Sequence, residues 1–350
     1  MSDRLATRIG SVRLKNPIIA AAAEHLIEAD GVRAALRAGV GAVVVKSINE
    51  LAAGKDQLQR AEYMVLDEHW RPVPWNTDAP ASVTIACRSG LTPQSFAAWL
   101  DQTARLDREA RDHDAYAIAS LILADLDEAM TMAKQVEAAG IRVLEFNIGT
   151  PYAKEAKGVV ATELDPVRIT AIVSAMRRAV SLPLWIKITG QSERVPELAR
   201  AAFAAGADSV VMAGRLLGFV PDLDTLEPML GTSLGVGGFW NLPLTCHWLA
   251  VSRAALGPQH PLIGINGAQS GHDVARMMLA GASAVAIASP VMLRGFSLLS
   301  DAIDELARYL DTKSLRAEEL IGRAADQRKT FAQMPLKPDN WRRYVPPLDS

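Results

Sequence analysis

The sequence is poor in cysteine, which limits the kinds of site it can build. Only Cys87 and Cys246 occur in 350 residues, far apart in the chain. Because an iron–sulfur cluster or a cysteine-rich zinc site needs several thiolates close together, we expect neither, and we predict no metal site. We also expect two buried, unreactive thiols and no disulfide.

Runs of lysine and arginine are absent as well, and the formal net charge is −2. A nucleic-acid partner is therefore not expected. There is no stretch of about 18 uncharged apolar residues, and the start, MSDRLATRIG, lacks the apolar core of a signal peptide. These absences predict a cytoplasmic protein without a membrane partner.

Aromatic residues make up only 5% of the chain, although 49% of it is apolar. The core must therefore consist mainly of Ala, Val, Leu and Ile, which is typical of helices packed around a parallel sheet. Short apolar runs alternate with longer amphipathic stretches, as in βα units. The predicted strands are Ile18–Ala22, Ala42–Lys46, Tyr116–Ile122, Val143–Ile148, Leu184–Thr189, Ser209–Ala213, Leu262–Ile265 and Ala284–Ala288.

Glycines mark the junctions between predicted helices and the strands that follow. The phrases AGVGAV, AAGIRV, AAGADS and LAGASA each place one there, and the periodic segment from Leu126 to Ala139 stops at Gly140. Doubly wound open sheets share this pattern. The count of eight strands favours a (β/α)₈ TIM barrel, an α/β fold, with long βα loops over its C-terminal face.

Two long connections and the C-terminus interrupt the repeat. The segments from Ile48 to Asp114 and from Leu216 to Pro243 are rich in Pro or Gly, and we predict that they cover the active face. We divide the chain into a barrel, residues 1–313, and a C-terminal segment, residues 314–350. That segment is expected to begin as a charged helix and to pack on the barrel or at a subunit contact.

Polar residues follow several predicted strands, where barrel enzymes keep their sites. Lys46 and Lys187 end apolar strands, and a buried lysine there needs an electron-rich partner. A flavin ring offers such a partner; an internal salt bridge or a Schiff-base lysine is the alternative. The glycines after the seventh strand and the turn after the eighth predict a phosphate site built from backbone N–H groups.

Six segments, in order along the chain, resemble the dihydroorotate dehydrogenase superfamily, particularly its class 1 members and the flavin barrel of dihydropyrimidine dehydrogenase. The resemblance runs from about Leu14 to Asp311. The segments are LKNPIIAAAAE, GVGAVVVKS, LEFNIGTP, LPLWIKIT, PLIGINGAQSGHD and AGASAVAIASPVMLRG.

This resemblance implies that FMN is the cofactor. By position, Ala21 and Ala22 would line the flavin, and Lys46, Ser47, Asn147 and Lys187 would hydrogen-bond it. The residues expected to hold the ribityl phosphate are Gly238, Asn266, Gly267, Ala288 and Ser289. Asn266 stands where the family has a glycine, and Ala288-Ser289 replaces Gly-Thr, but neither change removes a backbone donor.

The substrate side departs further from the family pattern. Thr150 takes the place of the Cys or Ser base, and Tyr152 replaces an asparagine. Gly214-Arg215 stands where Asn-Thr or Asn-Ser is expected, so two asparagines that hold a pyrimidine are missing. Arg88 falls near a third such position in the first long connection. Unmatched donors and acceptors cost about 1–3 kcal/mol each, which argues against orotate or uracil.

We therefore expect an FMN-dependent oxidoreductase that acts on a C–C single or double bond next to a carbonyl. Thr150 and Lys46 are the predicted catalytic residues, and Tyr152, Arg215 and Asn147 the predicted substrate-binding residues. His25, just after the first strand, is expected within reach of the flavin. The alternatives are a dihydroorotate or dihydropyrimidine dehydrogenase proper, a flavin-free aldolase or isomerase, and a non-catalytic flavin-binding subunit. The resemblance also implies a homodimer, and a separate electron-transfer subunit would have to supply any iron–sulfur centre.

Overall fold

The computed structural model of the protein describes residues 3–51, 56–150, 164–212, 214 and 216–346. Its strands, in chain order, are β1 Thr7–Ile9, β2 Val12–Leu14, β3 Ile18–Ala20, β4 Ala42–Val44, β5 Glu62–Leu66, β6 Pro72–Val73, β7 Thr84–Arg88, β8 Tyr116–Ile122, β9 Leu144–Asn147, β10 Leu184–Lys187, β11 Ser209–Met212, β12 Leu216–Gly218, β13 Leu234–Gly238, β14 Leu262–Ile265 and β15 Ala282–Ile287. Its helices are α1 Ala29–Arg37, α2 Phe96–Arg111, α3 Leu126–Ala138, α4 Pro166–Ala179, α5 Val195–Ala204, α6 Asn241–Leu256, α7 Gly271–Leu279, α8 Ser289–Arg294 and α9 Ser297–Lys313. Of the helices described, none has the length and apolar composition needed to cross a membrane.

Eight parallel strands close into a barrel in the order β3, β4, β8, β9, β10, β11, β14, β15. These are the eight strands predicted from the sequence, so the (β/α)₈ barrel is confirmed and the open-sheet alternative is excluded. The four junction glycines, Gly39, Gly140, Gly206 and Gly281, all have positive φ. Since L side chains are strained there, glycine ends the helix at little cost.

Local hydrogen bonds set the start of several helices. The Asp125 carboxylate accepts from the N–H groups of Asp127 and Glu128 at 3.0 and 3.2 Å, and so caps α3. Ser95 and Ser270 cap α2 and α7 in the same way. Such caps supply acceptors for N–H groups that have no partner within the helix.

A hairpin that the sequence analysis did not predict closes the amino-terminal end of the barrel. Strands β1 and β2 pair antiparallel, and their Ile9, Val12 and Leu14 pack on inward side chains such as Trp185 of β10. The hairpin therefore completes the core inside the barrel, while a larger cluster lies between the strands and the helices.

The two long connections predicted to cover the active face form one five-stranded antiparallel sheet, in the order β12, β13, β7, β5, β6. We call this sheet the lid. It has its own apolar cluster, in which Leu66 and Leu234 are completely buried. The lid joins residues that are far apart in the chain, because β7 of the first connection pairs with β13 of the second.

The segment after α9 differs from the charged helix that we expected. It forms four short 3₁₀ turns, Ala317–Leu320, Ala325–Gln327, Phe331–Gln333 and Asn340–Tyr344. Gly322, with a φ of 76°, separates the first two. A left-handed residue at this point ends any continuous helix. Ala317 and Leu320 are buried at the base of the barrel, whereas the chain from residue 328 onward is almost entirely exposed.

Candidate functional site

A cavity lies between the carboxyl ends of the barrel strands and the lid. Ten of the eleven predicted cofactor-binding residues line it: Ala22, Lys46, Ser47, Asn147, Lys187, Gly238, Asn266, Gly267, Ala288 and Ser289. Ala21, the eleventh, is buried among the inward side chains of the barrel. Thr150 also lines the cavity and is half-buried. Tyr152 and Arg215 lie outside the described residues.

Both lysines at the barrel mouth are paired with glutamates. Lys46 Nζ lies 2.8 Å from Glu24 Oε1, and the two side chains are 6% and 17% exposed. Lys187 Nζ lies 3.6 Å from Glu145 Oε1, also deeply buried. The salt bridges left open as an alternative are therefore present. Pairing matters because an uncompensated charge at this depth is strongly destabilising.

The backbone around Lys46 is held on two sides. Its N–H donates to the carbonyl of Leu26, which lies in the same 3₁₀ turn as Glu24, and Trp99 Nε1 of α2 donates to Lys46 O at 2.9 Å. This places the lysine and its glutamate at the same edge of the cavity.

A hydrogen-bonded chain crosses three neighbouring strands below the cavity. Ser47 and Ser120 hydroxyls are 2.8 Å apart, and Ser120 Oγ donates to Glu145 Oε1 at 3.2 Å. Glu145 therefore links Ser47, through Ser120, to Lys187. A buried network of this kind restricts the side chains that face the cavity.

Asn147 and Gly149 form a tight turn beside the lysines. Asn147 Oδ1 accepts from the N–H of Gly149 at 3.0 Å, and the N–H groups of Ile148 and Gly149 donate to Lys187 O. A Cβ on Gly149 would lie 2.4 Å from the backbone N of Thr189. The turn therefore requires glycine, and it presents Thr150 to the cavity.

The opposite end of the cavity is built from backbone. Asn266 and Gly267 have φ values of 82° and 104°. Asn266 Oδ1 accepts from Asn241 Nδ2 at 2.9 Å, and the Thr245 hydroxyl donates to Asn266 O at 2.9 Å. Asparagine tolerates positive φ better than other side chains, which explains why it can stand in place of the family's glycine.

Helix α8 begins at Ser289 and completes this end. Pro290 has no N–H, and Val291 and Met292 donate theirs to Ala288 O, so the helix start adds the N–H of Ser289 to the backbone donors of the turn at Gly267. Backbone donors of this kind suit an anion. Arg294, at the other end of α8, also lines the cavity and donates to Gln269 Oε1 and Ala79 O.

The lid presents a mainly apolar wall to the cavity. Its lining residues include Tyr63, Val83, Ile85, Cys87 and Val236. Cys87 is buried and not in a disulfide. The other free cysteine, Cys246, lies in α6, and burial raises the pKa of its thiol to about 11.

Arg88 and His25, which the sequence analysis considered for the site, make other contacts. Arg88 donates to Glu62 Oε2 and to Leu230 O, both at 2.7 Å, so it joins lid strands and is not among the cavity-lining residues. His25 packs against Phe296 with ring centroids 5.6 Å apart. Burial, partly opposed by the Glu24 charge, lowers its pKa to about 4.

A family model described as "Dihydroorotate dehydrogenase" matches residues 71–310, more than half of the chain. The chain belongs to the dihydroorotate dehydrogenase family. This confirms the resemblance drawn from the sequence motifs, and it places the protein among oxidoreductases.

Two curated relatives of this dihydroorotate dehydrogenase family member match more than nine tenths of its length, and a third matches about half. The catalytic subunit of dihydroorotate dehydrogenase B (NAD(+)) from Methanocaldococcus jannaschii is 26% identical over 327 residues, which is 91% of this chain and 98% of the relative. The same subunit from Desulforudis audaxviator is 29% identical over 328 residues, 93% of this chain and 98% of the relative. Dihydroorotate dehydrogenase A (fumarate) from Lacticaseibacillus paracasei is 36% identical over 174 residues, 49% of this chain and 58% of the relative.

Several residues that line the cavity or lie directly below it were missed in the sequence analysis. Glu24 and Glu145 gave no signal, because a glutamate near a strand end is common on a protein surface. Tyr63 and Ile85 were hidden in a connection whose strands could not be paired from the sequence. In the described part of the chain, no group of three His, Cys, Asp or Glu side chains is placed to hold a metal ion.

Proposed function

We propose that this chain is an FMN-dependent oxidoreductase acting on a C–C single or double bond next to a carbonyl, in a small substrate other than orotate. The main support for the proposal is that the side-chain donors at the barrel mouth and the turn with backbone donors line the same cavity. Lys46, Lys187, Asn147 and Ser47 provide donors at one end, and the Asn266–Gly267 turn with the start of α8 provides N–H groups at the other.

This donor set fits FMN. The oxygen and nitrogen atoms of an isoalloxazine edge need donors such as an ammonium or an amide, and a phosphate suits a helix start next to a glycine turn. When bound, FMN would supply the two-electron chemistry. The protein's own residues would hold the ring, keep the charge near its edge balanced, and position Thr150 to exchange a proton with the substrate, directly or through a neighbour.

The apolar lid wall favours a substrate other than a pyrimidine. Orotate presents several ring donors and acceptors, and each one left unmatched in a buried site costs about 1–3 kcal/mol. Val83, Ile85 and Val236 offer no side-chain partner for them, and Arg88 is bound to Glu62 and Leu230. We therefore propose a flat, unsaturated carbonyl compound with an apolar face.

The glutamate partners argue against the flavin-free alternative. A Schiff base needs a free amine, whereas a carboxylate 2.8 Å from Lys46 Nζ stabilises the ammonium. For electron transfer we propose a separate partner subunit, since two of the relatives are named as catalytic subunits. We further propose that the protein is a cytoplasmic homodimer.

The test begins with the absorbance spectrum of freshly purified protein and with FMN added to protein stripped of cofactor. We expect flavin bands and one FMN per chain, and loss of that binding in Lys187→Met.

The reduced enzyme is then mixed anaerobically with orotate, uracil and simple cyclic enones. Reoxidation by enones but not by the pyrimidines is expected. Colourless protein that refuses FMN would overturn the proposal, and fast reoxidation by orotate would favour the dihydroorotate dehydrogenase alternative.

A further inference from the structure

The last described segment of the chain projects from the barrel with large apolar side chains in solvent. We call residues 328–346 the arm. Phe331 is 96% exposed, Leu336 94% and Tyr344 77%, and Trp341 is 59% exposed. Monomeric proteins rarely leave apolar groups of this size uncovered, so a surface of this kind indicates a binding partner.

The arm has a defined local structure of its own. Thr330 and Gln333 form a capping box, and Arg342 donates to Asp339 Oδ1 at 3.1 Å while its guanidinium lies 4.8 Å from the Trp341 ring. Arg328 N donates to Ala325 O, and the other hydrogen bonds of the arm, among the residues that the structure describes, join arm residues to each other. The arm therefore has a local fold of its own, and its largest apolar side chains stay exposed on this chain.

A second exposed apolar feature lies at the edge of the lid, in the turn that follows β12. We call residues 219–227 the lid tip. Leu223 is 88% exposed, Leu226 85% and Phe219 58%. Its two ends are held by backbone hydrogen bonds, such as Asp222 N to Glu227 O at 2.8 Å.

The two features have opposite charge. The lid tip contains Asp222, Asp224 and Glu227 and no lysine or arginine. The arm contains one carboxylate, that of Asp339, against five cations: Arg328, Lys329, Lys337, Arg342 and Arg343. Apolar side chains surrounded by complementary charge are what a specific protein interface requires.

The two features are attached at opposite ends of the barrel. The arm leaves from the base, where Arg253 in the last turn of α6 binds Asp326. The lid tip belongs to the sheet that covers the carboxyl ends of the strands. Each chain thus has two complementary exposed surfaces, the arm and the lid tip.

We propose that the arm of one chain packs on the lid tip of a second copy, and that the exchange is reciprocal about a two-fold axis. Two antiparallel copies would bring each base, from which the arm projects, next to the other's lid. Two such contacts per dimer would bury on the order of 1,000–2,000 Å², which is the range of stable interfaces.

Charge reversal in full-length chains tests the pairing. One variant carries Asp224→Lys and Glu227→Lys in the lid tip; Asp222 is kept because it holds the turn by accepting from the N–H groups of Asp224 and Thr225. The other carries Lys337→Glu and Arg343→Glu in the arm. A control with Asp301→Lys and Asp304→Lys on the exposed face of α9 makes the same change in net charge as the lid-tip variant.

Light scattering after size exclusion should give twice the 37.6 kDa chain mass for the unaltered protein and the control. Each reversal variant alone should raise the dimer dissociation constant by about tenfold or more, since like charges then face each other. Mixing the two variants should restore the dimer, because both contacts of the mixed pair are again complementary.

Four results would overturn the proposal: an unaltered chain that stays monomeric, a control that dissociates as much as the variants, a mixture that does not reassociate, and an arm that binds anionic vesicles in place of a second copy. Thermal unfolding of each variant separates a lost contact from a lost fold. None of these measurements depends on the cofactor or the substrate.

Discussion

At the scale of single residues, the two glutamates decide the charge of the barrel mouth. Lys46 and Lys187 would together present two positive charges to a bound flavin, but Glu24 and Glu145 balance them. Glu145 is also bonded to Ser120, whereas Glu24 lies at the cavity edge. Glu24 is thus the carboxylate whose removal should change the charge while preserving the buried network.

If the proposed function holds, Glu24→Gln should raise the reduction potential of the bound flavin, because reduction adds negative charge near Lys46. One unit charge several ångströms away at an effective dielectric constant of about 20 is worth roughly 2 kcal/mol. We expect sulfite to bind the oxidised flavin about tenfold more tightly or better, and a tenfold change in a two-electron equilibrium corresponds to about 30 mV.

Spectral titration with sulfite and a reference-dye measurement of the potential check this prediction. Glu50→Gln is the matched control, because the Glu50 carboxylate bonds Asp125 N and Glu50 is not among the cavity-lining residues. Equal shifts in the two variants would contradict a specific role for Glu24.

His25 should make stability depend on pH. Its pKa falls from 6.5 to about 4 on folding, so between these values the unfolded chain binds more protons and stability rises with pH. The full separation is worth roughly 3 kcal/mol. We expect the free energy of unfolding to fall as the pH drops from 6.5 to 4, and His25→Leu to flatten that slope.

Urea unfolding at several pH values measures this dependence. The charges nearest His25, Glu24 and Lys46, remain in the variant, so the comparison isolates the imidazole. A slope that is unchanged by His25→Leu would show that other groups cause the acid sensitivity.

At the scale of elements, the turn after β14 combines strain with a specific hydrogen bond. Asn266 has a φ of 82° and receives a hydrogen bond from Asn241. Glycine at this position would lose the bond but adopt the angle freely, whereas alanine would lose the bond and keep the strain.

We therefore expect Asn266→Ala to be less stable than Asn266→Gly by about 1–2 kcal/mol. Chemical unfolding of both variants gives the difference directly, and Asn241→Ala, which removes the same hydrogen bond from its other side, serves as the control. Equal stability of the alanine and glycine variants would mean that the backbone angle is not constrained in solution.

The lid is a second unit with its own apolar cluster, and it should open independently of the barrel. Leu66→Ala removes a completely buried side chain from that cluster, which typically costs about 2–5 kcal/mol. Amide hydrogen exchange should become faster in β5, β7 and β13, while the barrel strands keep their protection. Leu306→Ala, a fully buried position in α9, should instead weaken the barrel. Equal acceleration everywhere in Leu66→Ala would show that lid and barrel unfold together.

At the scale of the whole molecule, a ligand that binds only the folded state raises its stability. Under the proposed function, FMN contacts both ends of the cavity, but riboflavin lacks the phosphate that meets the Gly267 turn and α8. FMN at about 100 times its dissociation constant should stabilise the fold by about 2.7 kcal/mol. Riboflavin at the same concentration should stabilise it much less. Thermal unfolding with each compound checks this, and equal effects would argue against a phosphate site at this turn.

Many features of the barrel and the candidate site could be predicted from the sequence, because their signals are local. Each strand, such as Leu262–Ile265, is a short apolar run, and each junction glycine follows its own helix. Barrel enzymes place their functional groups at strand ends, so Lys46 and Asn147 could be assigned to one mouth without coordinates. The prediction of a helix after Ser314 was wrong, because Gly322 lies within the predicted helical segment and adopts a left-handed backbone conformation.

The sequence by itself determined the order of the eight barrel strands, the end of the barrel that carries the cavity, and the family. Only the tertiary structure decided that β7 pairs with β13 to form the lid, that Glu24 and Glu145 neutralise the two lysines, and that the arm leaves its own barrel. The physical reason is separation along the chain. Periodicity and turn residues act over a few positions, whereas strand pairing across the lid and buried ion pairs depend on which distant segments the closed barrel brings together.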